Sequence, residues 1–135
     1  MLSNQREPMT ASVLLPAAMR RTETPNAVMT TLASPTQGPT GRISLWKISM
    51  QPGKRGPLHV FDSEQIWHVV AGEADFEIDG EVHRVRAGDA VVLPAGAVRV
   101  VASVTAAEFI ACGQGDAIVS VVGEDTPRGT PAWIG

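Results

Sequence analysis

The sequence predicts an all-β domain, closed into one barrel or sandwich. Three observations carry this. Apolar residues recur in short runs with a period of two: Ala74, Phe76 and Ile78 share one face, while Asp75 and Glu77 take the other. Turn residues separate these runs roughly every eight to twelve positions, supplied by 13 Gly and 10 Pro. No stretch combines the length and period of an ordinary helix.

The elements follow in order. Residues 1–25 are non-periodic and read as an N-terminal extension or arm ahead of a domain over 26–135. Met9, Met19 and Met29 are each candidate starts within or just after it. Residues 27–33 are β-prone, and a Ser-, Pro-, Thr- and Gly-rich loop covers 34–41. Strands are then expected over 42–50, 65–71 and 74–78. Asp79 and Gly80 form a hairpin turn, because a type I′ turn needs φ > 0 at both central residues. Return strands follow at 81–86, 90–93, 98–102, 106–112 and 117–122. About nine short strands suit a barrel, and no internal repeat suggests a second one.

Composition narrows the function classes. The 135 residues suffice for one core, and 44% hydrophobic content excludes a disordered chain. Net charge is −3, from 11 basic and 14 acidic residues. Basic residues pair only at Arg20–Arg21 and Lys54–Arg55, which argues against nucleic acid as a partner. No run approaches the ~20 apolar residues of a membrane helix. Residues 11–19 are mildly apolar, but their arginines follow rather than precede, the reverse of a secretory signal. The single Cys112 permits no intrachain disulfide. It reads as a buried thiol in the apolar run 109–112, and a cytoplasmic location is the expectation.

The turn residues become specific from Gly53 onward. A first motif runs Gly53, His59, Phe61, Gln65, Gly72; a second runs Gly88, Pro94, Gly96, Arg99. Gly tolerates φ > 0 and Pro presets φ, so these residues fix corners. In order and spacing the two motifs resemble those of the cupin family across roughly residues 40–115. The resemblance implies a double-stranded β-helix (jelly-roll) barrel whose ligand site lies inside. It also implies a metal at His, His, Glu and His positions, which here read His59, Phe61, Gln65 and Arg99. Phe has no donor atom and Arg is a cation, so neither ligates. At most His59 and Gln65 remain, whereas divalent metal sites commonly take more protein ligands. No bound metal is favoured, though a divalent transition metal on His59 and Gln65 stays open. Alternation turns Glu64, His68 and His83 away from the site.

The remaining set has its own chemistry. His59 is the acid/base candidate, since its ordinary pKa lies near neutrality. Arg99 offers a fixed positive charge to a carboxylate, phosphate, enolate or phenolate. Phe61, Gln65 and Trp67 would line the pocket and bind substrate. Plainer readings stand beside these: Arg99 in an ion pair with Glu64 or Glu73, His59 as a core histidine on a backbone carbonyl, and Phe61 and Trp67 as packing. The expected function is an enzyme of isomerase, cyclase or lyase type, acting without tightly bound metal on a ligand with an acidic or enolisable oxygen. A metal-dependent enzyme such as a dioxygenase and a non-catalytic binding barrel are the alternatives. A homodimer is expected from the arm and from the apolar Trp133 and Ile134 near the C-terminus.

Overall fold

The computed structural model describes residues 11–135. Residues 1–10 of the expected extension, with Met9, lie outside the described residues. In chain order the strands are β1 Arg20–Glu23, β2 Val28–Ala33, β3 Ile43–Met50, β4 His59–Phe61, β5 Gln65–Ala71, β6 Glu73–Ile78, β7 Glu81–Arg86, β8 Ala90–Leu93, β9 Arg99–Ser103, β10 Ala107–Gln114 and β11 Val119–Val121. They form a six-stranded sheet, order β1-β2-β3-β10-β5-β8, and a five-stranded sheet, order β11-β4-β9-β6-β7. The pairings are antiparallel, and the only helix among the described residues is one 3₁₀ turn at Pro16–Ala18. This is an all-β jelly-roll barrel.

Sequence alternation builds its interior. β3 turns Ser44, Trp46, Ile48 and Met50 inward and its other residues outward. β5 does the same with Gln65, Trp67 and Val69, and β10 with Ala107, Phe109 and Ala111. Phe76, Phe109 and Trp67 meet edge to face, with ring centroids 5.4–5.9 Å apart, the favourable geometry for aromatic quadrupoles. Asp79 and Gly80 both have positive φ, as the expected hairpin requires. Gly72 is demanded twice over. Its φ is +82°, and a Cβ there would sit 2.0 Å from the carbonyl oxygen of Ala106.

Two strands are additional to those expected. β1 lies in the extension and pairs with β2 from Arg20↔Thr31 to Glu23↔Val28. Arg-Arg-Thr-Glu has no apolar face, so only backbone pairing reveals the strand. β4 is too short to show a period. Cys112 also differs from expectation. The run 109–112 alternates, so Phe109 and Ala111 face inward while Ile110 and Cys112 lie half-buried on the outer face.

Trp133 and Ile134 pack on the barrel. Thr31 and Ser44 are buried hydroxyls on the inner face of β2 and β3, and buried hydroxyls need partners. They donate to the carbonyls of Trp133, at 2.8 Å, and of Ile134. Arg20 reaches the carbonyl of Gly135 at 2.9 Å. The terminal segment thus becomes part of the wall, with Ile134 fully buried.

Candidate functional site

Between the sheets lies a cavity of about 470 Å³. His59, Phe61, Gln65, Trp67 and Arg99 all line it. They come from three strands: β4 supplies His59 and Phe61, β5 supplies Gln65 and Trp67, and β9 supplies Arg99. His59 and Arg99 are direct cross-strand partners. Most of the remaining wall is apolar, including Met29, Ile48, Met50, Val101 and Val121. Such a layout, apolar walls with a few convergent polar groups, is typical of small-molecule sites.

The polar groups form one connected set. Arg99 is 2% exposed. Its Nη2 donates to Gln65 Oε1 at 2.6 Å, and its Nε donates to His59 Nε2 at 3.3 Å. Its guanidinium also lies 4.5 Å over the Phe61 ring, a cation–π contact strengthened by the dry setting. Gln65 Oε1 takes a second hydrogen bond from Trp67 Nε1 at 3.1 Å. His59 Nδ1 lies 2.7 Å from the carbonyl of Pro57. A carbonyl only accepts, so the proton sits on Nδ1 and Nε2 keeps its lone pair.

The alternative ion pairs for Arg99 are not formed. Glu64 is exposed just ahead of β5. Glu73 lies 3.8 Å from Arg84 instead. Among the described residues the ion pairs belong to Arg21, Arg55, His83, Arg84 and Arg128. His68 and His83 are both exposed, His83 beside Glu81.

Electrostatics follow from burial. Desolvation lowers the Arg99 pKa to about 9. His59 falls to about 4, chiefly through burial; the Pro57 carbonyl raises it and the Arg99 charge lowers it further. His59 is therefore neutral at pH 7, held as a lone-pair donor against a cation.

A divalent metal fits these residues poorly. Gln65 Oε1 and His59 Nε2 are both engaged by Arg99, whose charge would repel the ion. No group of three or more His, Cys, Asp or Glu with metal-binding geometry occurs among the described residues.

Sequence reasoning missed several contributors. Trp46 and Trp133 also line the cavity, so all three tryptophans of the chain do. Trp46 was legible from its alternation with Ile48 and Met50. Gly113 leaves room for the Gln65 side chain, since a Cβ there would lie 2.9 Å from Gln65 Cγ. The Pro57 carbonyl has no sequence signature.

The fold and the cavity define a jelly-roll barrel built around an internal site. Residues 46–122 match the Cupin domain family, and the chain belongs to that family. No curated protein matches it in sequence. Among solved structures it is similar to an RmlC-like cupin from Shewanella frigidimarina, with 18% identity and TM-score 0.65, covering 78% of this chain and 94% of that one. It is also similar to the polyketide cyclase RemF from Streptomyces resistomycificus, with 17% identity and TM-score 0.72, covering 86% and 88%. A third likeness is to salicylate 1,2-dioxygenase from Pseudoaminobacter salicylatoxidans, with 14% identity and TM-score 0.68. It covers 78% of this chain but only 31% of the dioxygenase. At these identities the likenesses show the fold alone.

Proposed function

We infer that the chain is a small-molecule enzyme of isomerase, cyclase or lyase type, acting inside the barrel on a ligand with an acidic or enolisable oxygen and without a resident metal. The observation that carries this is Arg99: a buried cation with no carboxylate partner among the described residues, hydrogen-bonded to the lone pair of a neutral histidine. A buried charge without a counter-charge is costly, and an anionic ligand oxygen would balance it.

The chemistry follows from the pair. A ligand carbonyl oxygen docks on the Arg99 guanidinium. The C–H bond on the adjacent carbon breaks and its proton passes to His59 Nε2. The electron pair of that bond forms the carbon–carbon double bond, and the carbonyl becomes an enolate oxygen held by Arg99. As Nε2 gains the proton it releases Arg99 Nε–H, which turns to the new oxyanion. A pKa of about 4 makes free His59 a weak base. Burial is the main cause of that low value and the Arg99 field a lesser one, so a bound anion that opposes the field raises it only in part. The low value in the free protein also favours a second reading, a binding barrel without turnover.

Phenylpyruvate separates the two, having an aromatic body, a carboxylate and an enolisable carbon. The enzyme reading expects keto–enol interconversion above the buffer rate. His59→Gln should slow it by about a hundredfold or more with binding retained. Binding without any acceleration would leave the non-catalytic reading standing.

A further inference from the structure

Among the described residues, every polar partner of Arg99 is uncharged. Its Nη2 donates to Gln65 Oε1, its Nε donates to neutral His59, and its guanidinium lies over the Phe61 ring. Gln65 is the firmest of these partners, at 2.6 Å, and is itself 1% exposed. The backbone makes room for it. Gly113 stands directly across on β10, where a Cβ would lie 2.9 Å from Gln65 Cγ.

The Gln65 amide uses one of its two ends. Oε1 accepts from Arg99 and from Trp67 Nε1, whereas Nε2 has no hydrogen-bond partner among the described residues. A glutamate has the same length and shape, and its carboxylate would accept the same two bonds more strongly. It would also pair a buried cation, which is costly to leave alone. By hydrogen bonding and by charge, glutamate is thus the better partner for a purely structural arginine. What glutamine provides instead is a grip on the guanidinium that leaves its charge uncancelled. The rest of the wall does not cancel it either. Among the described residues that line the cavity there is no Asp or Glu, and the second cation, Arg128, is matched by Glu124.

We propose that Gln65 is the specificity-determining residue of the cavity: it holds Arg99 in place while staying uncharged, and so reserves the barrel for an anionic group on an apolar body. Gln65 acts through Arg99, as a positioning residue. This rests on Arg99 being an anion site, and it goes further by naming the residue that keeps that site open to an anion. Specificity of this kind is a difference in affinity between a charged ligand and an uncharged one of the same shape.

Calorimetric titration with phenylpyruvate and with its neutral primary amide reads that difference. The wild type should bind the acid at least about tenfold more tightly than the amide. Gln65→Glu should lower acid affinity about tenfold or more, leave amide affinity within about threefold, and melt no lower than the wild type. Gln65→Met removes the hydrogen bonds without adding a charge, and its flexible side chain fills similar space. It should keep the acid preference within about threefold of the wild type. Three results would overturn the proposal while leaving Arg99 as the anion site: undiminished acid affinity in Gln65→Glu, a melt of that variant lowered by about 10 °C or more, or a Gln65→Met that loses the acid preference as fully as Gln65→Glu. Equal binding of acid and amide by the wild type would overturn the Arg99 reading itself.

Discussion

Arg99→Met separates a functional arginine from a structural one. Methionine keeps much of the aliphatic stem and removes the charge. Three terms decide its stability. The variant loses a charge-assisted hydrogen bond to Gln65 Oε1, worth about 2 kcal/mol. It also loses the cation–π contact over Phe61, worth about 2 kcal/mol when dry. Against these, burial that lowers the arginine pKa to about 9 corresponds to on the order of 5 kcal/mol of unfavourable desolvation that the variant no longer carries. Gln65 Oε1 keeps its bond from Trp67, so no acceptor there is orphaned. The balance lies near zero or slightly favourable. Thermal melting should therefore change by no more than about 4 °C, in either direction. Affinity for phenylpyruvate should fall about ten- to a hundredfold, because that anion loses its charged partner. A melt lowered by about 10 °C or more with affinity unchanged would refute the reasoning and make Arg99 a structural residue.

Other expectations follow from the same geometry. His59 has a folded pKa of about 4, below its ordinary value of 6.5. Between those values the unfolded chain binds a proton that the folded one does not, so this contribution is present above pH 6.5 and lost as pH falls through 4. Urea melts at pH 7 and pH 4 should differ by up to about 3 kcal/mol from this group, and His59→Gln should flatten that part of the profile. Gly72→Ala forces a Cβ against the Ala106 carbonyl at positive φ and should cost about 3 kcal/mol or more, read as a lower denaturation midpoint. Elemental analysis of protein purified without added metal should find well under one equivalent of zinc, iron, nickel or manganese per chain; near one would restore the metal-dependent reading. Val13 and Leu15 stand exposed ahead of β1, as an exchanged arm would, so light scattering at micromolar concentration should give a dimer, and a monomer removes that expectation.

The barrel was legible because its signals are local. Turn residues on either side bounded β5, β7 and β8 to the residue, and the glycines of both motifs mark corners where φ is positive: Gly53, Gly72, Gly88 and Gly96. The same period brought Gln65 and Trp67 to one face, and motif spacing found His59 and Arg99. What stayed hidden depends on partners distant in the chain. β1 is a strand because β2 offers it a backbone edge, not because its side chains ask for one. The Pro57 carbonyl fixes the His59 tautomer, yet any residue would supply a carbonyl. Arg99 had two candidate carboxylates in sequence; alternation already turned Glu64 outward, and only three dimensions show Glu73 beside Arg84. Trp133 invited packing by its composition, but that it walls the cavity follows from hydroxyls on β2 and β3.

The sheet order has a consequence for kinetics. β3 lies beside β10, joining residues as distant in the chain as Ile43 and Gln114, and the cavity draws on β3, β4, β5, β9 and the terminal segment. Each join closes a long loop before any of it is rewarded, so folding should be slow for a chain of this size. The walls that would grip a ligand meet only when both sheets have closed, after the rate-limiting barrier. A bound ligand would then leave the folding rate nearly unchanged and appear almost wholly as slower unfolding.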